Sequence, residues 1–260
     1  MKKAACCTPH YLWLWALLSA LACGAAQAGE CLARSGAHTT ALVELYTSQG
    51  CSSCPPADRW LSRLGETYAR ESVVPIALHV DYWDYIGWKD PYAKREFSLR
   101  QRKLSQLQRL ALVYTPQVVL QGRDFRGWSG KEFHDAVARI NAQPAKAKVK
   151  LAVLRADSKG LEVEASAELV QATPEAGLYL AAYQSKLQSR VSAGENRGRI
   201  LTHDYVVLEW LGPFALAGTG MQRHVLPLLP GATAEHSGAA AFVQDRRTGE
   251  VLQALLRSAC

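Results

Sequence analysis

Long charge blocks, long apolar runs and methionine are all in short supply in this chain. Only two of its 260 residues are methionine, so thioether ligands for soft metals are nearly absent. No long Lys/Arg run occurs and the formal net charge is only +7, a dispersed balance that favours solubility over nucleic-acid binding. Neither a glycine-rich phosphate loop nor a G-x-S-x-G elbow is present, so nucleotide and serine-hydrolase readings have no support. No internal repeat stands out. The apolar run Leu12 to Leu21 is shorter than the about 20 residues that span a bilayer.

That run has a different use. Lys2 and Lys3 precede it and Ala26-Gln27-Ala28 follows, the layout of a cleaved export signal. Residues 1–28 are therefore expected to be removed, giving a periplasmic or secreted protein without a stable membrane anchor. They carry two lysines and no acids, so the mature charge is +5. Three of the seven cysteines leave with them, and Cys31, Cys51, Cys54 and Cys260 remain where disulfides persist. The simplest pairing is Cys51 with Cys54 and Cys31 with Cys260. The alternative for the outer two is a pair of free thiols or a bond between molecules.

Residues 40–47 read as a strand, with Val43, Leu45 and Thr47 on one face and Leu42, Glu44 and Tyr46 on the other. It runs into Gly50-Cys51-Ser52-Ser53-Cys54-Pro55-Pro56, where Trp60, Leu61, Leu64 and Tyr68 begin a helical stripe. The prolines suit a first turn, whose N–H groups have no intrahelical partner. Residues 73–80 read as a central strand. An aromatic, acidic loop follows at 81–90, and Asp90-Pro91 predicts a helix running to about Leu110. A strand at 117–120, a short strand at 125–128, and a helix capped by Ser129 and Glu132 complete this half. The order predicts an α/β domain over 29–143, a mixed sheet flanked by helices.

Beyond Gln143-Pro144 the pattern changes to short runs separated by turn residues, at 149–154, 161–167, 179–184, 206–211, 222–228, 240–244 and 251–256. These predict an all-β, sandwich-like domain over 144–260.

The segments VELYTSQGCSSCPPAD (43–58), HVDYWDYIGWKDP (79–91) and YTPQVV (114–119) together resemble a family of secreted bacterial thioredoxin-like proteins of unknown function. The likeness extends to Gly194-Glu195-Asn196-Arg197-Gly198 and His203. It implies a thioredoxin-like fold for residues 40–142, a cis bond at Thr115–Pro116 lying against the dithiol, and thiol–disulfide exchange with protein thiols or disulfides. It also implies that Cys51 attacks, Cys54 resolves and Glu44 is the buried acid that deprotonates Cys54. An ordinary solvated glutamate is the alternative for Glu44. Two departures leave the redox direction open: Gly50 stands where such proteins carry tryptophan, and Ser52-Ser53 separates the cysteines.

The residues support that chemistry independently. Exchange needs a thiolate, and a helix N-terminus stabilises one at Cys51. A closed disulfide that only pins the helix start is the structural alternative. Asp81, Trp83, Asp84 and Trp88 are a candidate cleft wall, or core plugs in the case of the tryptophans. His79, inside an apolar strand, is expected to be a hydrogen-bonded core histidine. No metal site and no resident cofactor are expected. The alternative function is a non-catalytic binding or metal-handling protein with structural disulfides.

Overall fold

The computed structural model describes residues 31–157, 159–216 and 221–260. The expected leader and its cleavage site lie outside the described residues. Within them, the first half runs β1 (Cys31–Arg34), β2 (Ala41–Thr47), α1 (Cys54–Thr67), β3 (Val73–His79), a 3₁₀ turn at Asp81–Ile86, α2 (Arg95–Leu107), β4 (Gln117–Leu120), β5 (Arg123–Asp124) and α3 (Lys131–Asn141). The second half adds β6 (Ala147–Asp157), β7 (Gly160–Leu169), β8 (Ala176–Gln184), β9 (Leu187–Arg190), β10 (Ile200–His203), β11 (Val206–Ala215), β12 (Gln222–Leu226), β13 (Ser237–Asp245) and β14 (Val251–Ser258). This is a mixed α/β protein dominated by sheet. Among the described residues no helix is long and apolar enough to cross a membrane.

An eight-stranded sheet runs in the order β14-β13-β8-β11-β3-β2-β4-β5. Its pairs β2·β3 and β3·β11 are parallel. The alternation in β2 decides which helix covers which face. Val43 and Leu45 meet Trp60, Leu61 and Leu64 of α1 and Phe133 and Val137 of α3, while Leu42 and Tyr46 meet Phe97 and Leu104 of α2. Because both faces are covered, all seven residues of β2 and all seven of β3 are buried. Pro75 is tolerated inside β3 because its missing N–H lies on the side facing β11. That strand pairs only from Ala77, whose N–H donates to the Tyr205 carbonyl.

The boundary expected near residue 143 does not divide this sheet. β8, β11, β13 and β14 come from the second half, yet they extend the sheet that β2 and β3 begin. The sandwich-like part is narrower than expected: a second sheet, β1-β6-β7-β12, packs Val149, Leu151, Leu161 and Val163 against Leu178, Leu180, Ala239 and Ala241. The first strand of that second sheet comes from the N-terminal half. Cys31 and Cys260 are brought to disulfide distance, Cα to Cα 6.0 Å.

Three local expectations shift. The helix expected from Pro91 begins at Arg95: Asp90 accepts from the Tyr92 N–H, but Lys94 N–H donates to the His79 carbonyl and holds residues 91–94 against the end of β3. Residues 125–128 do not pair as a strand. Phe125 and Trp128 instead pack on Phe133 and Trp60, and the hairpin closes earlier through Gln121 and Gly122, both at positive φ. Ser129 does not cap α3. Gly130 holds that position without a side-chain bond.

Candidate functional site

The site forms where β2 ends. Thr47, Ser48 and Gln49 are buried, and the chain turns through Gly50 into Cys51 and then α1. A Cβ at Gly50 would approach Ile86 and the Trp83 Cβ to 3.2 Å, so the space beside this residue is already filled by the aromatic loop. Cys51 and Cys54 are at disulfide distance with Cα atoms 5.5 Å apart, and both are buried. The Cys51 sulfur lies 3.3 Å from the Ser53 hydroxyl and 3.9 Å from the Thr115 carbonyl oxygen. The Thr115–Pro116 bond is cis. Trp83 Nε1 donates to Thr115 Oγ1 at 2.7 Å, tying the aromatic loop to the proline turn.

Gln49 is the hub of the surrounding network. Its backbone N–H donates to Asp90, its side-chain amide donates to Ser189, and its side-chain oxygen accepts from Trp88 Nε1 at 3.0 Å. Its side-chain nitrogen also sits 3.3 Å from His203 Nε2. Behind it, His79 Nδ1 meets Asp90 Oδ2 at 2.7 Å, both groups fully buried. Burial alone would push the His79 imidazole down, but the carboxylates of Asp90 and Asp58 raise it above its ordinary value. Burial raises Asp90, and His79 with the amides of Gln49 and Tyr92 overcomes that to hold it low. His79 Nε2 is buried without a hydrogen-bond partner among the described residues.

Asp58 lies one helical turn after Cys54, on the buried face of α1. It accepts a 2.8 Å hydrogen bond from Thr47 Oγ1. Burial lifts its carboxyl to about 6, against smaller opposing pulls from His79 and Thr47. His203 Nδ1 is 3.7 Å away, too far for a hydrogen bond. Burial and the neighbouring His79 push that imidazole down to about 3, so it is neutral at physiological pH.

Some of the residues singled out in the sequence converge here and others do not. Cys51, Cys54, Thr115, Pro116, Trp83 and Trp88 gather around one turn. Asp81 and Asp84 serve the aromatic loop itself, accepting from Ser98 Oγ and from the Asp90 N–H. Glu44 is displaced from the role expected of it. Its carboxylate is on the α2 face of β2, clamped by Arg100 through bonds of 2.7 and 2.8 Å and by the Tyr46 hydroxyl at 2.9 Å. Asp58, Gln49, Asn196 and His203 were not selected from the sequence as parts of this site. Asp58 carried a readable signal in its i+4 spacing from Cys54, and Asn196 and His203 were marked by the family likeness alone.

Among the described residues no group of three or more His, Cys, Asp and Glu side chains is placed to hold a metal ion. An open hollow of about 530 Å³ beside the proline turn is lined by Leu110, Leu112, Tyr114, Arg126 and Trp128.

Comparison with known proteins adds fold and family. Protein AGR_C_4864 from Agrobacterium tumefaciens superimposes with a TM-score of 0.60 at 23% identity, over 86% of this chain and 96% of that one. HBP35 of Porphyromonas gingivalis gives a TM-score of 0.64 at 16% identity, over 86% of this chain and 76% of that one. Both are likenesses of fold. No curated protein matches the sequence. The model of a family described as "Protein of unknown function (DUF1223)" matches residues 42–244, most of the chain, and the protein belongs to that family.

Proposed function

We propose that this is an exported thiol–disulfide exchange protein, with a thioredoxin-like unit over residues 40–142 and the Cys51–Cys54 dithiol as its reactive centre. The observation that carries this reading is the setting of Cys51: its sulfur lies just before α1, between the Ser53 hydroxyl and the Thr115 carbonyl. Helix-end N–H groups favour a thiolate there, and a hydroxyl can donate to it. The Cys51 thiolate attacks one sulfur of a partner disulfide, forming a mixed disulfide and expelling the other partner sulfur as a thiolate. Cys54 then gives its proton to the expelled partner thiolate and attacks the Cys51 sulfur, closing the Cys51–Cys54 bond and releasing the second partner sulfur as a thiolate. Two electrons pass to the partner, and the reverse sequence oxidises a partner dithiol. The hollow beside Thr115 would take an apolar part of the partner chain.

The expected reduction potential is reversible and falls between about −270 and −120 mV, the span of catalytic dithiols. Cys54→Ser should accumulate a mixed disulfide with a model protein disulfide, and Cys51→Ser should not. A potential well below about −300 mV without exchange would contradict the proposal. One observation favours a second reading, a structural disulfide on a non-catalytic binding protein: Cys51 is only 1% exposed.

A further inference from the structure

An attacking sulfur must be reached in line by its partner, and a side chain this buried cannot be. The exchange reading therefore requires something to move. The β9–β10 ribbon stands apart from both large sheets, its strands paired only with one another. Its tip reaches back to the dithiol turn. Asn196, fully buried, donates from Nδ2 to the carbonyls of Gln49 at 2.9 Å and Cys51 at 2.8 Å. Glu195 accepts from the Ser52 N–H at 2.8 Å.

We propose that residues 191–199 form a lid over the dithiol, latched by Asn196 on the Gln49 and Cys51 carbonyls and by Glu195 on the Ser52 amide, whose release admits the partner sulfur to Cys51. This rests on the exchange reading and gives that site its control element.

Four features fit a lid. The tip is internally braced, with Gly198 and Arg199 bonded to Val191, Arg197 to Gly194 and Arg199 to Asn196, so it can lift as one piece. Lifting it costs no rung of either large sheet. It is also seated closely: Gly194 has φ +71, and a Cβ there would come within 2.9 Å of the Ile86 side chain, so the closed position is specific. The latch also carries a charge at the residue next to Cys51, so a thiolate there places a like charge in the neighbourhood of the Glu195 carboxylate and a closed disulfide does not.

The test is alkylation of the reduced full chain by iodoacetamide, followed by peptide mapping of each cysteine, at a pH where Cys51 is ionised in every variant. Asn196→Ala should raise the Cys51 rate about tenfold or more, the scale of losing two buried hydrogen bonds, while Cys54 stays protected. Glu195→Gln, which keeps an acceptor but removes the charge, should lower the Cys51 pKa. Unchanged Cys51 alkylation in Asn196→Ala overturns the lid. So does a rise shared equally by Cys54, which would mean a loosened fold. The exchange reading fails separately: if Asn196→Ala exposes Cys51 yet neither it nor the parent protein exchanges with a model disulfide, the ribbon covers a structural bond.

Discussion

Glu44 and Asp58 are buried on opposite faces of the same sheet, and their surroundings differ in one respect. Glu44 has its own cation. The Arg100 guanidinium grips both its oxygens and lies 4.5 Å over the Trp210 ring, and Glu44 holds that guanidinium well above its ordinary value against the pull of burial. Asp58 has the Thr47 hydroxyl and the neutral His203 imidazole beside it, and His79 acts on it only through space. A clamped ion pair, held by two hydrogen bonds between its own members, serves the fold. A carboxyl buried beside no cation in hydrogen-bonding contact titrates near neutrality and can exchange a proton with what lies next to it, which is the more useful property beside a dithiol.

The largest way to break this contrast is at the clamped acid. Glu44→Gln leaves the buried Arg100 charge uncompensated and should lower stability by about 3–5 kcal/mol, read from the urea midpoint. The dithiol potential should not move; a shifted potential would return Glu44 to the site. Asp58→Asn should act the other way. A carboxyl whose folded value is raised gives stability that is complete below its unfolded value near 3.8 and is lost as pH rises through about 6. The variant should gain about 2–3 kcal/mol on the parent protein between pH 4 and pH 7, measured as the difference of their melting curves. A flat difference would mean that burial does not raise the Asp58 carboxyl. The smallest effect is expected at Trp88→Phe, which removes the donor to Gln49 and should cost about 1 kcal/mol by urea unfolding. That change should leave the Arg100 side untouched.

How much of this was legible depended on the range of the interactions. The strand over 40–47 and the helix after the cysteines follow from local pattern, and the sequence marks them. The face that each residue of β2 presents was also correct in the alternation. What alternation does not contain is the partner. Whether Glu44 meets a cysteine or Arg100 depends on which helix packs on its face, and Arg100 is 56 residues away. The β9–β10 ribbon was missed for a similar reason. Leu187–Arg190 and Ile200–His203 are four residues each, five of the eight polar, and the ribbon is tied down through the bond from Gln49 to Ser189. The single large sheet escaped notice because β11 joins β3 across more than a hundred residues of chain.

That junction bears on how the molecule can be taken apart. A fragment ending near residue 143 would contain both cysteines of the dithiol site and every α-helix among the described residues, and so would look complete. It would also leave β3 with a bare edge where β11 had been, and remove Tyr179, Val207 and Phe242 from the core beneath α2. The lid would go with them. The two halves are therefore not modules that can be expressed, swapped or grafted one at a time; the smallest transplantable unit takes in residues 31–260.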